Sequence, residues 1–256
     1  MNGARAQSPL VAARTVGVMT TLGVIALIEI LIRIGAINRY IVPLPSQILV
    51  ALPRIVAEEN VLHRFLQTMQ ELFWASLLLT ATGITLGALL YRFRLLRAAC
   101  ETWVAAFAAA PIVLMYPLFL VIFGRSATTI IMMGFVAGLA PVILKTLEGL
   151  VRTRQVLIDV GRSFRLSAWQ EFRAILLPAA LPSIFVGLRL GLIFAMINIV
   201  GVEFLINFGG LGQLINDLAE RYDLPATYAA ICFVILANIV FFDITGRIER
   251  WLRPNE

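Results

Sequence analysis

A single histidine, two cysteines and a charged fraction of only 14% leave this chain of 256 residues few groups with which to do chemistry in water. His63 stands apart from any cluster of Cys, Asp or Glu at ligand spacing, so the sequence assembles neither a metal centre nor a catalytic base, and no catalytic residue is assigned. An intramembrane hydrolase is disfavoured on the same ground. No Gly-x-x-x-x-Gly-Lys loop occurs, which excludes ATP hydrolysis through that motif. Cys100 and Cys232 lie far apart in apolar surroundings and read as two buried, inert thiols. Also missing are long internal repeats, low-complexity tracts and any soluble domain.

What is there is apolar surface. Hydrophobic residues make up 60% of the chain and the mean hydropathy is +0.91, far beyond a soluble domain. In lipid the backbone must satisfy its own hydrogen bonds, and the long continuous runs lack the period of two that a barrel requires. The expected fold is therefore an all-α integral membrane protein, a single transmembrane domain over residues 1–256. Spans of about twenty residues fall at 15–37, 70–91, 99–123, 127–148, 180–206 and 226–247, six in all. The first follows Arg5 and Arg14 but is too long for a signal h-region and reads as a retained span. After Pro43-Leu44-Pro45, Ser46 is expected to cap an amphipathic interfacial helix carrying Ile48, Leu49, Leu52 and Ile55 beside Arg54, Glu58, Glu59 and Arg64.

Lys and Arg crowd the segments on one side of these spans: Arg5, Arg14, Arg92, Arg94, Arg97, Lys145, then Arg152 to Arg173, and Arg247, Arg250 and Arg253. The bias places both termini in the cytoplasm. The net charge of +6 thus follows membrane topology and gives no nucleic-acid surface. Paired glycines four apart, Gly83/Gly87, Gly134/Gly138 and Gly187/Gly191, permit close helix approach.

Charge returns as an amphipathic pattern between Arg152 and Arg173. Val156, Leu157, Val160 and Phe164 share one helical face, with Asp159 and Arg162 beside them. The pattern breaks at Arg165-Leu166 and restarts where Ser167 and Gln170 stand in capping-box relation. Trp169 and Phe172 follow three apart, and Pro178 and Pro182 are expected to close the segment. Two short helices joined at a bend result, a cytoplasmic loop over about 152–178.

Charges within spans need a partner or a wet cavity, at a cost of roughly 2.5–3.5 kcal/mol each at a helix centre. Glu29 and Arg33, four apart, are expected to pair. Asn198 and Glu203 either line a pathway or its outer gate, or make packing hydrogen bonds between helices. Met115, Tyr116 and Phe119 are further pathway candidates, with lipid-facing or core positions as the alternative. Gly209-Gly210-Leu211-Gly212 reads as a tight turn.

The 159–178 segment resembles the cytoplasmic signature of permease subunits of bacterial binding-protein-dependent ABC importers: Glu-Ala-Ala, three residues, Gly, nine residues, Ile, one residue, Leu-Pro. Asp159 stands at the Glu, Val160 and Gly161 at the alanines, Arg165 at the Gly, Ile175 at the Ile and Leu177-Pro178 at the Leu-Pro. The continuation through Leu181-Pro182 and Gly187-Leu188-Arg189-Leu190-Gly191, with Leu44-Pro45-Ser46, Ala109-Ala110-Pro111, Phe123-Gly124 and Gly209 to Gly212, is similar to the nitrate, sulfonate and taurine branch. Two departures stand out, Arg165 for glycine and Val160-Gly161 for the double alanine. The resemblance implies a transporter half-site in the bacterial inner membrane, probed by a periplasmic or lipid-anchored solute-binding protein. It implies a second permease copy, a homodimer, and a cytoplasmic ATPase dimer that carries ATP and Mg, with no cofactor on this chain. Asp159, Gly161, Arg162, Phe164, Arg165, Ser167, Trp169, Gln170, Phe172 and Pro178 would then form the ATPase coupling loop. The cargo it implies is a small anion such as a sulfonate, taurine or nitrate, or a related small organic solute. The alternative is a non-transporting membrane scaffold that recruits a cytoplasmic partner through the same loop.

Overall fold

Without water to satisfy it, an apolar backbone closes its hydrogen bonds locally, and every regular element among the described residues is helical. The computed structural model describes residues 9–251, with side chains for 15–247. Arg5 and Arg253 lie outside the described residues, as do the side chains of Arg14 and Arg250. In chain order the helices are α1 (Pro9–Arg33), α2 (Pro45–Glu58), α3 (Val61–Arg92), α4 (Arg94–Ala108), α5 (Tyr116–Phe123), α6 (Ala127–Val151), α7 (Gln155–Ser163), α8 (Ala168–Glu171), α9 (Leu177–Ile206), α10 (Gly210–Glu220) and α11 (Leu224–Trp251). Five helical stretches are long and apolar enough to cross a membrane, and a sixth arises if the bent pair α4 and 112–123 is one span.

That pair corrects the third expected span. Residues 99–123 do not form one helix: α4 ends at Ala108, a 3-10 turn runs from Ile112 to Met115, and the two halves are bent by 92°. The physical reason is Pro111 and Pro117, each lacking the N–H that a continuous helix would use. The prolines at 178 and 182 do the opposite of what was expected. They do not close the loop; Pro178 sits in the first turn of α9 and Pro182 inside it, and helix runs from Ala168 to Ile206. A π turn at Phe172–Leu176, in which the Leu177 N–H reaches the Phe172 carbonyl, absorbs the register change ahead of Pro178.

The chain divides into two compact units. The first comprises the described residues up to Asn60 together with Leu218–Phe233. Within it the stretch Thr15–Arg33 of α1 is apolar and largely exposed, as a lipid-facing helix would be. Ile32 is buried, and the half-buried Glu29 accepts from Arg33 Nε and Nη2 at 2.9 and 2.7 Å, as expected, and from the Ser46 amide and hydroxyl at 3.1 and 2.9 Å. Ser46 therefore does not cap α2, whose N-cap is Leu44 with Pro45 in the first turn. Of the expected apolar face of α2 only Ile55 is buried, with Ala51, while Leu49 is 67% exposed. Arg54 pairs with Asp223 at 2.5 Å and Arg221 with Glu59 at 2.7 Å.

The second unit holds α3 to α9, α10 as far as Asp217, and α11 from Val234. Its core is built on Leu72, Leu79, Ile130, Met133, Met196 and Ile199 from α3, α6 and α9. The glycine pairs do what their spacing implies. A Cβ on Gly191 would stand 2.8 Å from the Gly138 carbonyl oxygen, so α6 and α9 touch backbone to backbone. Gly83 and Gly87 likewise receive Val142 and Thr146 of α6 against α3.

Candidate functional site

Two constellations of the second unit hold the residues singled out in the sequence. The first is the two-helix loop. Its inner face is anchored by Ile158, Leu176 and Phe172, which pack with Leu150, Ala180 and Ile184 at the ends of α6 and α9. Its outer face is apolar and open: Val156 is 71% exposed, Phe164 77% and Trp169 67%. Trp169 and Phe172 stack with centroids 5.8 Å apart, so one ring is buried support and the other is offered outward. Ser167 and Gln170 make the capping box, the Gln170 N–H on Ser167 Oγ at 3.3 Å and the Ser167 N–H on Gln170 Oε1 at 2.8 Å. Asp159 accepts from Gln155 Nε2 at 3.0 Å and lies 3.8 Å from Arg162 Nη1, an exposed pair that contributes little.

The bend is a Schellman motif. Arg165 N–H donates to the Arg162 carbonyl at 2.9 Å and Leu166 N–H to the Gly161 carbonyl at 3.1 Å. Arg165 occupies the left-handed position itself, with φ +51°, a conformation that costs a side-chain-bearing residue roughly 1–2 kcal/mol. Gly161 lies close beneath it, where an added Cβ would stand 2.5 Å from Ile175 Cδ1 and the isoleucine tip would have to shift. Replacing Arg165 by Gly is expected to stabilise the protein by up to about 1 kcal/mol, since relief of strain exceeds the added freedom of the unfolded chain. Thermal unfolding of the two purified proteins checks this, and a lower midpoint for the glycine variant would contradict it.

The second constellation centres on Glu203, which is fully buried near the end of α9. Thr68 of α3 donates its hydroxyl to Glu203 Oε1 at 2.7 Å and accepts the Leu211 N–H at 2.9 Å; the Gly212 N–H reaches Glu203 Oε2 at 2.8 Å. The carboxylate thus caps the N-terminus of α10, where free N–H groups and the helix dipole favour an acceptor. The glycine run is more than a turn. Gly209 and Gly210 both have φ +69°, and a Cβ on Gly210 would coincide with the Glu203 carboxyl. Gln67 receives the Gly210 N–H at 3.2 Å, and Gln213 receives that of Gly209. Glu71, 3% exposed, lies against Glu203 within hydrogen-bonding reach. Two buried carboxyl groups in this contact must share a proton, one donating to the other, and no other group donates to the oxygens of Glu71.

Sequence reasoning missed Thr68, Gln67 and Glu71, and read Gly209 to Gly212 as a tight turn without the helix α10 that begins there. Thr68 and Glu71, three apart, share one face of α3, but that spacing does not say which helix the face meets. Of the other pathway candidates, Asn198 donates to the Phe194 carbonyl of its own helix at 2.9 Å, with Oδ1 buried and unpartnered. Phe119 is in the core, Tyr116 packs against it half-buried, and Met115 is 38% exposed. Cys100 and Cys232 are free thiols, both half-buried. Among the described residues no group of three His, Cys, Asp or Glu is placed to hold a metal.

Residues 62–254 match the family described as binding-protein-dependent transport system inner membrane component, over most of the chain. The chain belongs to that family. Among curated relatives this permease-family chain is 30% identical over 159 residues to the riboflavin transport system permease protein RibX of Chloroflexus aurantiacus, covering 62% of the chain and 59% of RibX. It therefore spans under two thirds of RibX's length. It is 26% identical over 199 residues to the nitrate import permease protein NrtB of Leptolyngbya laminosa, covering 78% of the chain and 71% of NrtB. A chain of the MetNI methionine ABC transporter, crystallised in inward-facing conformations, superposes with a TM-score of 0.65 at 20% identity, over 75% of this chain and 95% of that one. The last likeness establishes the family fold. The relatives' names differ in cargo, so membership in the nitrate, sulfonate and taurine branch does not follow from them.

Proposed function

We propose that this chain is the membrane-spanning permease subunit of an ABC importer, and that α7 and α8 form its coupling loop. The observation that carries the reading is an apolar, aromatic surface held open on a rigid two-helix bend: Phe164 and Trp169 stand outward while Ile158 and Leu176 fix the loop to α6 and α9. Such a surface is what a partner groove takes up. Two copies would enclose the pathway, a solute-binding protein would deliver cargo on the outer side, and a cytoplasmic ATPase dimer binding ATP and Mg would drive alternation between two access states. This orientation places the loop and both termini in the cytoplasm of the inner membrane. Glu203 with the α10 cap is the outer gate in this scheme, because it ties α3, α9 and α10 at one buried point.

The cargo is a small solute. The sulfonate, taurine and nitrate class is favoured by the loop's pattern and by the name of NrtB, while the name of RibX supports a flat aromatic cargo. Affinity purification of the full chain from its native host tests the assembly, and an ATPase subunit at one copy per permease is expected. Recovery of a stoichiometric partner without a nucleotide site would favour the scaffold reading. Ligand binding by the associated solute-binding protein, screened over nitrate, taurine, alkyl sulfonates and riboflavin, then assigns the cargo.

A further inference from the structure

Arg92, Arg94 and Arg97 gather on the rim of a cavity of about 800 Å³, within the range of about 300–1,000 Å³ that small-ligand pockets occupy. The break between α3 and α4 gathers them. Phe93 is extended, with φ −113° and ψ 98°, so the chain turns between Arg92 and Arg94 and does not spread them round one helix. The floor is apolar, formed by Ala88, Leu89, Ile158 and Leu176, while Thr153 and Gln155 add polar groups and Glu171 is the acid among the lining residues. Arg97 is engaged by Glu101 at 2.9 Å. Arg92 and Arg94 have no carboxylate partner among the described residues; Arg92 lies over the Phe93 ring at 5.6 Å.

The position is as telling as the charge. Arg92 closes the apolar stretch Val61–Arg92, where a span meets the membrane surface. The amphipathic α4 leaves there with no buried residue, showing Leu95 at 89% and Trp103 at 75% exposure. Guanidinium forks bind phosphate oxygens in pairs, and basic pockets between membrane helices hold anionic headgroups. We propose that this cavity binds the phosphate headgroup of an anionic phospholipid, with Arg92 and Arg94 on the phosphate and the glycerol end over Ala88 and Leu89. A free phosphate would use the arginines but leave the apolar floor bare, which is why the lipid is the better fit. Trp169 also lines the cavity, so the occupant shares a wall with the loop.

The test uses the full chain in nanodiscs of phosphatidylcholine alone or with a minority of phosphatidylglycerol, each carrying a trace of the spin-labelled lipid. Phosphatidylglycerol is expected to be immobilised in preference to phosphatidylcholine by about tenfold, a free-energy difference of about 1.4 kcal/mol. The preference should vanish in R92Q/R94Q, and also in A88F, which fills the floor without touching charge. Inorganic phosphate at millimolar concentration should not displace the lipid. Equal immobilisation of the two lipids overturns the proposal, as does a preference that survives R92Q/R94Q. Displacement by inorganic phosphate would make this a free oxyanion site instead. Unchanged lipid preference with weakened binding of a co-purified partner would make the arginines part of a protein interface.

Discussion

Phe164→Ala with Trp169→Ala is expected to abolish solute-stimulated ATP hydrolysis by the reconstituted transporter while leaving membrane insertion and thermal stability unchanged. The separation follows from exposure. At 77% and 67% exposed the two rings contribute little to the chain's own packing, so their removal costs the fold little. In an interface, aromatic anchors of this kind are each worth about 2 kcal/mol or more. Losing two would weaken docking roughly a thousandfold. Phe172 is left in place because it is half-buried against Leu150 and Ile184 and its removal would damage the loop itself. Full stimulation in the double variant, with ATPase subunits and binding protein present, would refute the coupling role of α7 and α8.

Glu203→Ala is expected to be among the most damaging single substitutions in the chain, and Glu71→Ala among the milder ones at an equally buried site. Truncating Glu203 removes the acceptor for the Thr68 hydroxyl and the Gly212 N–H at a point with no access to water. Each stranded donor costs about 1–3 kcal/mol, so a loss of roughly 2–6 kcal/mol is expected, and with it transport. Truncating Glu71 removes its carboxyl contact with Glu203 but strands no backbone or hydroxyl donor, because no such donor reaches its oxygens. Glu71→Gln should be neutral or stabilising, since the amide keeps the shape and supplies the Glu203 carboxyl with an N–H. Thermal unfolding of the three variants in detergent, paired with uptake into proteoliposomes, reads this order. Equal losses for Glu203→Ala and Glu71→Ala would show that the α10 cap is not what holds this point together.

The two-helix loop of α7 and α8 was largely legible in advance. Ser167 and Gln170, three apart, form the capping box, and the interruption at Arg165-Leu166 is the left-handed bend. Both depend on neighbours within one turn, where chain sequence alone fixes which atoms meet. The prolines were misjudged because a missing N–H has two remedies. At Pro111 and Pro117 the chain bends by 92°, and at Pro178 a π turn keeps the helix going. Which remedy is used depends on what packs around the segment.

The Glu203 site shows the boundary most sharply. Composition alone determined that the chain is a helical membrane protein, because lipid forbids unsatisfied backbone and leaves few alternatives. Glycine spacing likewise marked helices that could approach closely, while the pairing of α6 with α9 came from the packing. That Glu203 would meet Thr68, 135 residues away, and cap a helix begun by its own glycine turn was decided only by tertiary structure. Local periodicity says which face of a helix is apolar, but a buried acid finds its donors through the packing of three helices, and no pattern along one of them records that meeting.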